Sequence, residues 1–320
     1  MKKILILSAL LLASLTACTN DSSESCESGC KIFTTNAINL KVACPAGAPA
    51  VSLFAHLGES NVEINAAENV QAYMTGTSDK DVVILPTNFG VNAITKQSVP
   101  FKLAATVTFG NFFLLSTGLD DNATLDSGDK VLAFQQNGVA GKLFNYLYGD
   151  LGLDVTYAAD AVTVKTSILT SDSSFDYDYA LLAQPVVNAV IKNKTNYAIY
   201  SNIQSEYKTK TGGKEITQAS IFVRNTVEAE AAQAFLNTIK GDVEQLLDHT
   251  EFVVEQTSSL EEERVAAKLN VNAQAIKGLL DNGNQLGVGY KDAFTNKANI
   301  DAFLQTLGMG ATSEEIYFRS

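Results

Sequence analysis

The sequence predicts a two-lobed α/β protein in which each lobe is a doubly wound, mainly parallel β-sheet flanked by helices. Its 320 residues are enough for about two domains of ordinary size. Apolar strand-like segments alternate with helix-like segments along residues 38–200, as expected when crossover helices join parallel strands. The run at residues 82–85 is apolar at every position, which indicates a central strand covered on both faces.

The first half of the chain contains four predicted strands with helices between them. Ile38, Leu40 and Val42 alternate with polar residues and predict the first strand. A turn at residues 45–48 follows, and Pro49 stands where a helix tolerates proline, at its first position. The further predicted elements are a strand at 62–64, a helix at 66–74, a strand at 82–85, a short helix after residue 88 and a strand at 103–107.

A second series of the same kind begins at Lys130. It predicts strands at 131–134, 155–157 and 179–182, with helices between them, and a mostly helical last third of the chain. The segment 81–94 and the segment 178–190 each contain a strand, a proline and a helix in that order. Each half therefore carries the same unit, either by common ancestry or because any strand–proline–helix unit has this pattern.

The N-terminal residues predict export and a lipid anchor. Lys2 and Lys3 precede an apolar run at 4–15, which is too short to cross a hydrocarbon core of ~30 Å but suits a signal peptide. The run ends in LTAC at residues 15–18, which resembles the lipobox of bacterial lipoproteins. We predict a signal peptide at 1–17, lipidation of Cys18 and a flexible tether at 18–32 on the extracytoplasmic face of the bacterial cell membrane. A secretory signal with a chance cysteine is the alternative.

The three other cysteines are Cys26, Cys30 and Cys44. Outside the cytoplasm two of them can form a disulfide and leave one free thiol, and the sequence does not choose the pair. Metal binding by the three is disfavoured because no histidine is near. We expect neither a metal nor a cofactor.

Charge and composition exclude several function classes. Lys and Arg number 23 against 35 Asp and Glu, for a net charge of −12, whereas nucleic-acid binding needs clustered positive charge. The chain has two histidines, His56 and His249, both interpreted as surface or helix-terminus residues rather than general bases. No phosphate-binding loop, nucleophile elbow or zinc-protease motif occurs. We predict no catalytic residue and no nucleic-acid partner.

Five stretches resemble substrate-binding lipoproteins of ABC transporters of the nitrate/sulfonate/taurine type, a family that shares its fold with proteins binding thiamine-pyrimidine precursors. The stretches are KVACPAGAPA (41–50), DVVILPTN (81–88), VTFGNFFLL (107–115), DYALLAQP (178–185) and NQLGV (284–288). The resemblance covers roughly residues 37 to 308 and rests on order and spacing. It implies a type II periplasmic-binding-protein fold, closure of two lobes on a small ligand, and docking on a membrane permease.

The division into lobes is expected to be discontinuous. The first lobe is assigned to residues 33–110 and 226–320, and the second to residues 111–225. The chain would cross between the lobes at 112–115 and return at 221–223, and these two apolar strands are expected to pair as a hinge. We expect the protein to be a monomer.

Ligands of open α/β sheets bind outside the carboxyl ends of the strands, which places the cleft at five loops. These loops carry small or amide-bearing residues, and loops are rich in such residues in any protein. The predicted ligand-binding residues are Ala46, Gly47, Ala48, Thr87, Asn88, Phe109, Gly110, Asn111, Asn137, Gly138, Gln184 and Pro185.

The predicted cleft segments contain no Arg, Lys, Asp or Glu. We therefore expect a neutral or weakly anionic ligand held by hydrogen bonds, with Phe109 and Phe89 as apolar contacts if they are not simply core. A heterocycle such as a pyrimidine precursor fits best, and a sulfonate held by helix N-termini is second. An enzyme of the same fold that acts on a pyrimidine-like or other small metabolite is the alternative to a binding protein. A surface adhesin is disfavoured because no apolar surplus is evident.

Overall fold

Two β-sheets form the centre of the molecule. The computed structural model describes residues 32–118, 124–171 and 175–319. The predicted signal peptide, Cys18, Cys26, Cys30 and all but the last residue of the predicted tether lie outside these ranges. Within them, none of the helices combines the length and the apolarity needed to cross a bilayer.

One sheet has six strands and the other five. The six-stranded sheet contains β1 (Val42–Pro45), β2 (Val62–Asn65), β3 (Val82–Pro86), β4 (Phe101–Thr108), β10 (Ala219–Arg224) and β11 (Val288–Asp292), in the order β11-β4-β10-β3-β1-β2. The five-stranded sheet contains β5 (Phe112–Ser116), β6 (Lys130–Phe134), β7 (Asp154–Ala158), β8 (Tyr179–Ala183) and β9 (Ala198–Asn202), in the order β7-β6-β8-β5-β9.

The helices cover the sheets. They are α1 (Ala48–Val51), α2 (Ala67–Gln71), α3 (Thr87–Gln97), α4 (Val139–Tyr148), α5 (Ala161–Thr170), α6 (Val186–Asn193), α7 (Ile203–Lys210), α8 (Ala229–Asp248), α9 (Phe252–Thr257), α10 (Glu262–Leu269), α11 (Ala273–Asp281) and α12 (Lys297–Thr306). The predicted α/β class with two sheets flanked by helices is confirmed. The predicted strands at 62–64, 82–85, 103–107, 131–134, 155–157 and 179–182 correspond to β2, β3, β4, β6, β7 and β8.

Five strands of the six-stranded sheet have the same order and directions as the five strands of the other sheet. In the six-stranded sheet β2, β1, β3 and β4 run in the same direction, and β10 lies antiparallel between β3 and β4. In the five-stranded sheet β7, β6, β8 and β9 run in the same direction, and β5 lies antiparallel between β8 and β9. Both sheets are therefore mainly parallel with an antiparallel strand at the equivalent place, and the six-stranded sheet has a second antiparallel strand, β11, at its edge.

The duplicated unit extends to side-chain contacts. The carboxylate of Asp81 accepts a hydrogen bond from the backbone N–H of Lys41 at 2.9 Å, just before β1. The carboxylate of Asp178 accepts from the backbone N–H of Lys130 at 2.9 Å, at the start of β6. In both sheets, an aspartate preceding one central strand fixes the start of its neighbour, so the resemblance between segments 81–94 and 178–190 is structural.

Strand β1 corrects one prediction. The alternation of Ile38, Leu40 and Val42 predicts a strand there, but the strand is Val42–Pro45 and includes Cys44. All four of its residues are buried, because β1 lies between β2 and β3 and is covered on both faces. A central strand shows a continuous apolar run rather than alternation.

The hinge prediction is wrong. Strand β5 pairs with β8 and β9, whereas β10 pairs with β3 and β4, so the two crossing strands do not pair with each other. Each crossing strand belongs to the sheet that follows the crossing: β5 to the five-stranded sheet and β10 to the six-stranded sheet. Strand β10 therefore lies in the six-stranded sheet, although the predicted second lobe extends to residue 225.

Helix α12 packs on the cores of both sheets. Its residues Ile300 and Leu304 join the apolar core of the six-stranded sheet. Phe303, with Leu307 just after the helix, joins the core of the five-stranded sheet. Residues four apart lie on one side of a helix, so two adjacent stripes of one helix serve two cores. Part of the segment assigned to the first lobe thus also belongs to the second.

His56 is buried between two carboxylates at the end of a short helix. Of the two predicted placements, the surface position is therefore wrong. Its Nε2 lies 2.7 Å from Asp242 Oδ2 of α8, and its Nδ1 lies 2.7 Å from Glu59 Oε1. The side chain is 0% exposed. Burial lowers the pKa of His56, but the hydrogen bonds to Asp242 and Glu59 raise it more, and the net pKa is raised. The cluster ties α8 to the segment after α1.

Truncation of Leu307, just after α12, tests whether this end of the helix packs on the core of the five-stranded sheet. We expect Leu307→Ala to lower the free energy of unfolding by about 2–5 kcal/mol, because it leaves a cavity in the core of the five-stranded sheet. Urea unfolding followed by far-UV circular dichroism measures this. Gln305→Ala, at an exposed position of the same helix, should change stability by about 0.5 kcal/mol or less. Equal, small effects of the two substitutions would show that α12 does not pack on that core.

The pH dependence of stability tests the His56 cluster. Because folding raises the pKa of His56, the folded state binds its proton more tightly. The stabilisation of the folded state by this proton is complete below the ordinary pKa of about 6.5, and it is lost as the pH rises through the raised pKa of His56. The difference in unfolding free energy between the wild type and His56→Gln should therefore shrink as the pH rises above neutrality. A difference that stays constant or grows would contradict the assignment.

Candidate functional site

The two places where the chain passes between the sheets meet in one side-chain contact. Asn111 immediately precedes β5, and Gln218 immediately precedes β10. The Gln218 Nε2–H group donates to Asn111 Oδ1 at 3.1 Å. The Asn111 Nδ2–H group donates in turn to the backbone carbonyl of Gln184, at the end of β8, at 2.8 Å. The contact therefore joins the edges of both sheets.

Gln184 extends this contact to a third segment. Its Nε2–H group donates to Gln285 Oε1 at 2.5 Å, and its Oε1 accepts from the backbone N–H of Asn188 at 3.1 Å. Gln184 is 3% exposed and is joined to Pro185 by a cis peptide bond. We call Gln218, Asn111, Gln184 and Gln285 the amide junction.

A row of buried hydroxyl groups lies beside the amide junction. Thr87 Oγ1 is 2.7 Å from Ser220 Oγ, and Thr106 Oγ1 is 3.1 Å from the same atom. The backbone N–H of Thr87 also donates to the carbonyl of Gln218 at 3.0 Å. The ends of β3 and β4 and the start of β10 are therefore adjacent at this edge of the six-stranded sheet.

Four buried polar atoms at the same strand ends have no hydrogen-bond partner among the described residues. They are Asn88 Oδ1, Thr108 Oγ1, Thr217 Oγ1 and Gln218 Oε1. A buried polar group without a partner costs about 1–3 kcal/mol, and native proteins contain few of them. Their concentration at neighbouring strand ends favours a bound molecule that supplies the missing hydrogen bonds.

The glycine predicted to contact ligand at the crossing is closely packed by protein. Gly110 has φ +106°, and a Cβ there would lie 2.7 Å from Gln204 Oε1. A Cβ at Gly287 would collide with the carbonyl oxygen of Gly110. The backbone of Phe109 donates to the carbonyl of Gly287 at 2.7 Å. Glycine is thus required at residue 287 for the close approach of its backbone to Gly110, and at residue 110 for its positive φ.

Phe109 packs beside β11. A Cβ at Gly289 would lie 3.0 Å from its ring, and the ring is half-buried. Lys291 Nζ lies 5.4 Å from the ring centroid and pairs with Glu215. Phe89 packs against the core of the six-stranded sheet.

The other predicted residues lie in two further loops. The N–H of Gly47 donates to the carbonyl of Lys268 at 3.0 Å, so the loop with Ala46 and Ala48 packs on the end of α10. Asn137 is exposed and lies on a cavity of about 490 Å³ with lining from α4, β7 and the end of α12. The amide-junction residues do not line that cavity. Gly138 directly precedes α4.

The structure thus brings together Thr87, Asn88, Asn111 and Gln184 of the predicted set. It adds Gln218, Thr217, Thr108 and Ser220, which the sequence analysis did not select as ligand-binding residues. The rule for open α/β sheets concerns the carboxyl ends of parallel strands, and β10 is antiparallel. Its amino end, with Thr217 and Gln218, therefore reaches the same edge. The polar pair TQ directly before a buried apolar strand is a signal that could have indicated it.

Cys44 is a free cysteine buried in β1. Its Sγ lies 3.5 Å from the carbonyl of Pro45, and burial raises the pKa of the thiol well above its usual range. A protonated thiol is a poor nucleophile. Within the part of the chain that the structure describes, no group of His, Cys, Asp and Glu is arranged to hold a metal ion.

No protein-family model matches this chain, and no curated protein matches it in sequence. Solved structures do match. An ABC transporter from Parabacteroides distasonis has a TM-score of 0.68 at 16% identity, with 89% of this chain and 100% of that chain covered. The periplasmic aliphatic sulphonate binding protein of Escherichia coli has a TM-score of 0.57 at 12% identity, with 88% and 96% covered.

A third structure gives the fold its name. A Candida albicans protein described as having the generic periplasmic binding protein structural fold has a TM-score of 0.52 at 13% identity, with 87% of this chain and 92% of that chain covered. At these identities the likeness concerns the fold, and its high coverage includes both sheets. The chain therefore has the periplasmic-binding-protein fold that the sequence predicts.

Proposed function

We propose that this protein is an extracytoplasmic solute-binding lipoprotein that captures a small organic ligand and delivers it to the permease of an ABC importer. The observation that carries this proposal is the cluster of unpartnered buried polar atoms beside the amide junction. The structural likeness to an ABC transporter protein and to a sulphonate-binding protein supports the same class of function.

The chemistry of the site favours binding over catalysis. Amide and hydroxyl side chains make hydrogen bonds but do not ionise near neutral pH. His56 is held by Asp242 and Glu59, and the buried thiol of Cys44 has a raised pKa. General acid–base catalysis needs a group whose pKa lies near the working pH. An enzyme of the same fold is the second candidate, and turnover of a bound ligand by the purified protein would establish it.

Closure of two lobes is the proposed mechanism. The lobes are those of residues 33–110 with 226–320 and of residues 111–225, except that β10 belongs to the first. The crossing residues Asn111 and Gln218 lie where the lobes meet, so a ligand there would contact both. A ligand that contacts both lobes favours the closed arrangement by its differential affinity for the two states.

The proposed location is the extracytoplasmic face of the bacterial cell membrane, with a diacylglyceryl anchor on Cys18. A tether at residues 18–32 lets a monomeric binding protein search for its permease near the membrane. The proposed partners are therefore the ligand, the permease and the membrane. The net charge of −12 disfavours a nucleic-acid partner.

A thermal-shift panel tests the function. We expect at least one compound among pyrimidines, amides, sulfonates, oxyanions and amino acids to raise the melting temperature. A ligand at a hundredfold excess over its Kd stabilises the folded state by about 2.7 kcal/mol. Gln218→Ala and Asn111→Ala should weaken binding of that compound by about 1–3 kcal/mol, because each removes a hydrogen-bonding group from a buried site.

The matched control is Gln233→Ala, which removes a glutamine from the solvent-exposed contact with Asn237 on α8. It should leave the affinity unchanged. Binding that persists unaltered in Gln218→Ala and Asn111→Ala would place the ligand elsewhere. A panel that yields no stabilising compound, or a compound that is converted to product, would contradict the proposed function.

Mass spectrometry of the protein isolated from bacterial membranes tests the anchor. We expect a mature N-terminus at Cys18 with a diacylglyceryl group, and Cys18→Ser should release the protein from the membrane fraction. An unmodified Cys18, or cleavage at another residue, would contradict lipidation. Either result would leave the ligand site untouched.

A further inference from the structure

The orientation of the amide junction is fixed by the main chain. The carbonyl oxygen of Gln184 can only accept a hydrogen bond, so the Asn111 side chain must present its Nδ2–H group to it, at 2.8 Å. Asn111 then presents Oδ1 to Gln218, which must donate through Nε2, at 3.1 Å. Reversing either amide would place two acceptors, or two donors, against each other.

The Gln218 end of this chain of amides is consequently an acceptor. Gln218 Oε1 is buried and has no partner among the described residues, and the same holds for Asn88 Oδ1. The other two unpartnered atoms are the hydroxyl oxygens of Thr108 and Thr217. A hydroxyl group can donate or accept, so it adapts to either kind of ligand. Gln218 Oε1, whose orientation is fixed by Asn111, therefore determines the polarity of this part of the site.

Two cations on the strands of this edge are engaged by protein groups. Lys291, on β11, is paired with Glu215. Arg224 lies at the opposite end of β10 from Gln218, where its guanidinium donates to backbone carbonyls. An anion buried against amide oxygens without a cation would lose its hydration without compensation.

We infer that the site takes an uncharged ligand that donates N–H or O–H hydrogen bonds, and that it rejects anions such as sulfonates and carboxylates. This inference rests on the proposed function and narrows its ligand class. A ligand with two donor groups can satisfy Gln218 Oε1 and Asn88 Oδ1, while the hydroxyls of Thr108 and Thr217 accommodate its remaining polar atoms. The fixed acceptor at Gln218 disfavours a sulfonate, because a sulfonate has no hydrogen to donate to it.

Isosteric pairs of small probes test the inference. Each pair matches a neutral amide with the anion of the same shape: benzamide with benzoate, nicotinamide with nicotinate, and methanesulfonamide with methanesulfonate. Ligand-detected NMR titrations on the full mature chain measure their relative affinities. We expect the amide member of at least one pair to bind and its anion to bind at least tenfold more weakly.

Substitutions connect this preference to the amide oxygen. Gln218→Met keeps the length of the side chain but removes the acceptor, and should weaken the amide probe about 5- to 150-fold, which corresponds to the loss of one buried hydrogen bond. Thr217→Val removes a hydroxyl with little change of shape and should weaken it as well. Gln233→Met on the exposed face of α8 is the control. Circular dichroism verifies that each variant is folded. If Gln218→Met does not fold, the affinity of Thr217→Val for the amide probe is the test.

The outcomes separate the inference from the proposed function. An anionic member that binds as tightly as its amide, and that weakens in Gln218→Met or Thr217→Val, would overturn the ligand class while a binding protein would stand. Amide binding that is unchanged in both variants would also overturn it. Failure of every probe, together with failure of the thermal-shift panel, would remove the ligand site and the proposed function together.

Discussion

The hydrogen bond between the side chains of Gln218 and Asn111 joins the two points at which the chain passes from one sheet to the other. Each residue immediately precedes a strand that is inserted, antiparallel, beside a central parallel strand. The crossing points must therefore lie at the edge where the parallel strands end. That edge is also where open α/β sheets bind ligands, so the connection between the sheets and the candidate site occupy the same place.

Two other features limit how the sheets can move. The loop before β11 approaches Gly110 so closely that Gly287 does not tolerate a Cβ, and α12 contributes one stripe to each core. Opening about the crossing strands must therefore preserve the packing of α12 or carry the helix with one sheet.

Much of the fold could be predicted from local sequence patterns. Buried parallel strands such as β3 and β8 are continuous apolar runs bounded by aspartate and proline, and the pattern identifies them without knowledge of their neighbours. Strand pairing could not be predicted in the same way. Strands β5 and β10 are both largely apolar, and nothing in their sequences indicates which strands they pair with. The alternation of Ile38, Leu40 and Val42 was misleading for a related reason, since burial of β1 on both faces depends on its neighbours β2 and β3.

The candidate site was predicted in part. Thr87, Asn88, Asn111 and Gln184 follow parallel strands or lie at the crossing, where the general rule for α/β sheets applies. Gln218 was missed because that rule says nothing of the amino end of an antiparallel strand. The buried cluster of His56 could not be predicted from local sequence patterns, because its partner Asp242 lies 186 residues away in sequence.

The amide junction is the proposed ligand-binding site. The most direct measurement is a side-chain amide NMR spectrum of protein labelled with ¹⁵N at Asn and Gln, recorded during titration with the tightest compound found. The NH₂ resonances of Gln218, Asn111 and Asn88, assigned by single substitutions, should shift in proportion to saturation, while that of Gln233 stays in place. Saturating ligand that leaves all three resonances unmoved would contradict the account.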